Sequence, residues 1–216
     1  IVKLPVSDFG MPKFEIKIRW ILIAILLPCI IKGIYVLIFN GEYVSSNMNG
    51  NEIFNTLSAG VAFTGIAAGF VEEMVFRGVI LNALKKRWNM KVAVIVPSML
   101  FGIVHVLGQD FSIGSCLLVI IAGTMVGVMF SMIAIESGSV WNSGIVHAIW
   151  NIVIIGGGLA IGEKMDPYSV MTYVLDSKVF AITGGEFGIE SSVISLIGYI
   201  IVAGIAFIMI KSNRKN

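Results

Sequence analysis

Six long apolar runs constrain this chain more than any other feature of its sequence. They cover residues 20–39, 54–84, 92–107, 113–135, 140–161 and 191–210. Each approaches or exceeds the ~20 residues that a helix needs to cross the hydrocarbon core of a bilayer. Only 13% of the residues are charged and 57% are hydrophobic, against roughly a quarter and a half in a soluble domain. The expected fold is therefore all-α, a polytopic transmembrane bundle of about six membrane helices. No polar stretch is long enough for a separate soluble domain, so residues 1–216 read as a single membrane domain. The net charge of +2 excludes an electrostatic footprint for nucleic acid.

The runs carry their own punctuation. Pro97 removes one hydrogen bond from the third, which predicts a kink there. The second run is too long for one simple crossing, and its tail "LNALKKRW" (81–88) is expected to leave the bilayer as a helix end or to turn along its surface. "GIAAG" (65–69) and "GTMVG" (123–127) are small-xxx-small patterns that let membrane helices pack closely. Cys29 and Cys116 lie inside apolar runs and read as small core residues rather than a disulfide. The segment 162–190 is the only sizeable polar stretch and reads as an outer loop. The chain opens at Ile1 with no signal-peptide pattern, so natural residues are expected to precede it.

Cations set the orientation. Lys3, Lys13, Lys17 and Arg19 precede the first run, Lys85, Lys86, Arg87 and Lys91 follow the second, and Lys211, Arg214 and Lys215 follow the last. The alternate loops carry only Lys164 and Lys178. The positive-inside rule puts both ends of the chain on the cytoplasmic side, which agrees with six crossings.

Ionisable groups within membrane spans cost at least ~2.5–3.5 kcal/mol each at the centre, which makes them functional candidates. Lys32 is one, and reads as structural. The others are Glu72, Glu73 and Arg77 in the second run, His105 in the third, and His147 with Asn151 in the fifth. Glu73 and Arg77 stand four apart with the acid first, a favourable order for a helical pair. Glu72 is rotated by about 100° from Glu73, which leaves its carboxylate available for chemistry. Phe101 and His105 share one helix face, as do His147 and Asn151. Counted from the basic loop, Glu72 lies ~20 Å and His105 ~21 Å along their helices; His147 and Asn151 lie ~12 and ~18 Å from Ser139. Comparable depth predicts one shared cavity, nearer the cytoplasmic half.

One carboxylate, two imidazoles and an amide suit water activation and oxyanion stabilisation. Glu72 would be the base, His105 would orient the water, and His147 with Asn151 would donate to the oxyanion. No cofactor is then required. Alternatively Glu72, His105 and His147 make a sensible zinc set with one open position, although no HExxH helix is present. A non-catalytic scaffold and a proton-relaying transporter are the other classes that place such groups in a membrane.

The ordered motifs "EEMVFR" (72–77), "FGIVH" (101–105) and "HAIWN" (147–151) resemble the EExxxR, FxxxH and HxxxN pattern of the CAAX prenyl protease and bacteriocin-processing family, also called the Abi family. "SGSVWNSGIVH" (137–147) resembles that family's turn before its last motif. The likeness covers about residues 54–155. It implies an intramembrane endopeptidase with Glu72, His105, His147 and Asn151 as catalytic residues, supported by Glu73, Arg77 and Phe101. It also implies a membrane-associated or lipidated peptide as substrate. Eukaryotic members trim the last three residues of prenylated proteins; prokaryotic ones are linked to peptide maturation or bacteriocin self-immunity. The short loops and compact size suggest a prokaryotic plasma membrane.

Overall fold

The computed structural model describes residues 6–12 and 14–213, and Lys3, Lys13, Arg214 and Lys215 of the orientation argument lie outside them. The chain is 72% helical. Helix α1 spans Ile18–Ile38 and is followed by strand β1, Gly41–Ser45. Helix α2 is one continuous run, Gly50–Arg87. Helices α3 (Met90–Val104), α4 (Ile113–Ser137) and α5 (Val140–Ile154) follow. Strands β2 (Leu159–Gly162) and β3 (Met171–Leu175), the short helix α6 (Phe180–Thr183) and helix α7 (Val193–Asn213) complete the chain.

All six apolar runs therefore form helices. α1, α2, α4 and α7 are long and apolar enough to cross a membrane, whereas α3 and α5 have 15 residues each. At 1.5 Å per residue, those two reach only about 22 Å, short of a ~30 Å hydrocarbon core. The chain is an integral membrane protein built around α5, which packs on α1, α2 and α4.

Local chemistry explains the boundaries. Asn49 caps α2 by accepting from the backbone of Asn51 and Glu52, and Glu52 returns a bond to the Asn49 N–H at 2.7 Å. The tail 81–88, expected to leave the bilayer as a helix end or to turn along its surface, continues as helix to Arg87. Pro97 lies buried inside α3. The fifth run is helical only to Ile154, not to residue 161. Gly156, Gly157 and Gly158 follow, Gly157 has φ +80°, and such a left-handed residue ends a helix.

The segments expected to be loops contain a small sheet in the order β1-β3-β2. β1 pairs antiparallel with β3, Tyr43 opposite Tyr173, and β2 runs parallel to β3. The Tyr43 and Tyr173 rings lie 4.8 Å apart, a cross-strand aromatic pair. The sheet joins the ends of α1 and α5 at one end of the bundle. Lys17, Arg19, Lys85, Lys86, Arg87, Lys91 and Lys211 all lie at the other, the basic end.

The small-residue patterns act in packing. A Cβ on Gly69 would meet the Ala148 backbone at 2.8 Å, so α2 and α5 touch there, and one on Gly127 would meet Ser98 of α3 at 2.8 Å. Lys32 donates to the carbonyls of Val153 and Leu159. Both cysteines are free, but Cys29 faces outward from α1 rather than into the core.

Candidate active site

Two π-helical stretches interrupt α2, at Gly60–Ala68 and Met74–Ile80, and the α-helical turn Gly69–Glu73 lies between them. π segments shift the hydrogen-bond ladder and leave carbonyls for other donors. Thr64 in the first stretch accepts a bond of 2.9 Å from the Asn151 amide. In the second, Asn82 donates to the carbonyls of Arg77 and Gly78 at 3.0 and 2.8 Å.

Glu73 and Arg77 form the ion pair expected from their spacing, at 2.7 Å, with both side chains fully buried. Arg77 also donates to the Gly127 carbonyl at 2.9 Å and lies over the Phe101 and Phe130 rings, 4.7 and 5.2 Å from their centroids. Desolvated guanidinium over aromatic faces gains cation–π attraction. The same Glu73 Oε1 accepts from Nδ1 of His147 at 3.2 Å. Glu73 thus holds both a cation and an imidazole.

Glu72 points elsewhere. Its side chain is 34% exposed and lines a cavity of about 160 Å³ together with His105, His147 and Asn151. One carboxylate oxygen, Oε2, is buried without a hydrogen-bond partner and lies 3.9 Å from Nε2 of His147. Such an orphaned acceptor is costly unless a ligand or water completes it. The His147 ring stacks on Phe130 with centroids 4.5 Å apart, and Phe101 meets it edge-on at 5.8 Å.

His105 caps the end of α3, where its Nδ1 lies 2.6 Å from the Phe101 carbonyl. A carbonyl only accepts, so Nδ1 carries the proton and Nε2 of the neutral ring is left as an acceptor. The Phe101 and His105 rings are 4.6 Å apart.

All seven residues singled out from the sequence thus meet in one place, with Glu72 and Phe101 at the cavity wall and Glu73 and Arg77 behind it. The shared cavity expected from comparable depth is present, although along α3 and α5 it lies near the helix ends. His105 directly follows the last residue of α3 and Asn151 lies one turn from the end of α5, so the site sits toward the sheet end. The reason is length: ~21 Å from the basic loop is nearly the whole of a 15-residue helix. Among the described residues, no three His, Cys, Asp or Glu side chains converge as a metal site.

Sequence reasoning missed Phe130, Thr64, Trp150, Phe187 and Glu190. Phe187 and Glu190 come from the polar segment after β3 and close the cavity beside Trp150, whose Nε1 donates to Glu190 at 3.2 Å. Burial pushes the Glu190 carboxyl up to about 7. No local motif marks these residues; an acid among "GGEFGIE" reads as loop.

Residues 54–153 match the family described as type II CAAX prenyl endopeptidase, Rce1-like. No curated protein and no solved structure matches the chain. The matched stretch, a little under half of the chain, holds EExxxR, FxxxH and HxxxN and the whole constellation they form, and its match supports the likeness to the CAAX prenyl protease family.

Proposed function

We propose that this chain is an intramembrane endopeptidase in which Glu72 activates water against a peptide carbonyl of a membrane-associated or lipidated peptide. The observation that carries this reading is the contrast between the two adjacent carboxylates. Glu73 is fully buried and its Oε1 is held by both Arg77 and His147, whereas Glu72 is 34% exposed and stands at a cavity wall shared with His105, His147 and Asn151.

In the reaction, Nε2 of His105 accepts one water hydrogen and Glu72 takes the proton as the oxygen attacks. The tetrahedral oxyanion receives the second N–H of the Asn151 amide, whose first is held by Thr64. Nδ1–H of His147 is committed to Glu73, so Nε2 donates to the oxyanion only while the ring carries both protons. Collapse expels the amine, which leaves with the proton returned by Glu72. Atoms balance with one water consumed.

The positive-inside rule makes the sheet end the outer face, most simply of a prokaryotic plasma membrane. The site then admits substrate from outside. Single cysteines at Tyr168 and at Lys86 labelled by an impermeant maleimide in intact cells test this, with labelling only at position 168 expected.

The deciding experiment is cleavage of fluorogenic peptides by detergent-purified protein, wild type against Glu72→Gln. The swap is expected to lower kcat/KM about 10²–10⁴-fold while the thermal midpoint holds. Retained activity removes Glu72 as the base. Inhibition by a chelator, reversed by zinc, would replace the metal-free route with a zinc one.

A further inference from the structure

A second cavity, of about 610 Å³, lies at the sheet end. Its wall includes Ile155, Phe187 and Glu190, the same three residues that wall the catalytic cavity. The two spaces are thus neighbours across one thin partition.

Strand β2 forms another part of that wall. β2 is an edge strand, paired only with β3. The N–H of Met171 donates to the Gly158 carbonyl at 3.1 Å, so residue 158 faces β3. Backbone groups alternate along a strand, so Ala160 and Gly162 also face β3, and Leu159 and Ile161 face away. Lys32 occupies the Leu159 carbonyl, as that alternation requires. Among the described residues, the N–H and C=O of Ile161 have no partner on this edge. Unpaired, buried edge groups are a template for another strand.

The charges lining the space state what kind of strand. Glu163, Asp166 and Glu186 face Lys164 alone, and the fourth carboxyl, Glu190, is pushed up to about 7 by burial. None of the four carboxylates joins an ion pair among the described residues.

We propose that this vestibule binds the substrate as an extended peptide carrying basic side chains, added as a strand to the free edge of β2 and led past Phe187 and Glu190 to Glu72. The inference rests on the peptidase reading and names its substrate class. Main-chain bonds to Ile161 supply affinity, and alternate side chains reach the carboxylates, as in other strand-addition sites.

The test uses purified full-length protein carrying Glu72→Gln, so that binding is read without turnover. A short fluorescein-labelled peptide of alternating valine and lysine is the probe, followed by anisotropy. Methylating the amides of every second residue is expected to weaken binding about tenfold in one parity and to leave the other nearly unchanged. Replacing lysine by glutamate is expected to abolish binding. Equal effects in both parities, no effect in either, absence of binding, or equal binding of the glutamate peptide would overturn the proposal. Wild-type cleavage is measured in parallel. Parity-dependent binding without cleavage keeps the strand site and removes the peptidase; cleavage with parity-independent binding does the reverse.

Discussion

The two ends of the bundle treat their polar groups in opposite ways. At the basic end, Glu136 of α4 is buried and takes Arg19 and the Trp20 indole, the latter at 2.9 Å. Asp8 pairs with Lys86 at 2.9 Å, and the Trp141 indole donates to the Pro12 carbonyl at 2.8 Å. Asn142 both accepts from the Lys17 N–H and donates to the Glu15 carbonyl. At the sheet end, by contrast, lie the 610 Å³ cavity, the unpartnered Glu72 oxygen and the open edge at Ile161. The first end answers most of its polar groups from within, Arg19 Nε being an exception, and works as a clamp. The second leaves them for something that arrives.

That contrast can be broken most forcefully at Arg77, which ties the clamped half to the site. Arg77→Met leaves the fully buried Glu73 carboxylate uncompensated, and is expected to cost about 3–5 kcal/mol in detergent unfolding. Adding Glu73→Leu should recover part of the loss; if the double variant is no more stable than the single, the buried pair is not what holds these helices. Next, Glu136→Gln should cost about 1–3 kcal/mol by the same measurement, with KM for a cleaved peptide unchanged. A KM shift there would mean the clamp communicates with the cavity.

The smallest effect belongs to Glu190, faced by Trp150 and His147 of α5 and Tyr199 of α7. Its carboxyl is raised from 4.5 to about 7, so folding favours its protonated form. The stability it contributes is complete below about 4.5 and is lost as pH rises through about 7. Glu190→Gln is expected to flatten the fall of the thermal midpoint across that window. An unchanged slope would assign the dependence to another group.

The two ends also differ in how much of them the sequence reveals. Apolar runs give the helices directly, because bilayer thickness imposes a length that a sequence shows as hydropathy. Glu72, His105, His147 and Asn151 stand out because a charged or polar side chain in such a run is expensive and therefore conspicuous. The Glu73–Arg77 pair is legible because both partners lie on one helix turn. Glu136 and Arg19 are separated by 117 positions, and nothing local tells either that it has a partner. The sheet hides for the same reason: four or five residues of alternating character find pairing across the whole chain. Counting along a helix gives distance from one end, which is enough to bring Glu72, His105 and His147 to one cavity but not to show that His105 lies at the very end of α3.

Helix α1 has a further consequence, for the order in which the molecule is made. Its principal neighbour is not α2, which follows it, but α5, and its polar groups are answered only by residues far downstream. Lys32 needs Val153 and Leu159, Arg19 and Trp20 need Glu136, and the Lys17 amide needs Asn142. As the ribosome delivers the chain, α1 reaches the bilayer with an ammonium group before the residues that answer it here have been made. It stays a lodger among lipids, or in the care of the insertion machinery, until the fifth helix is threaded.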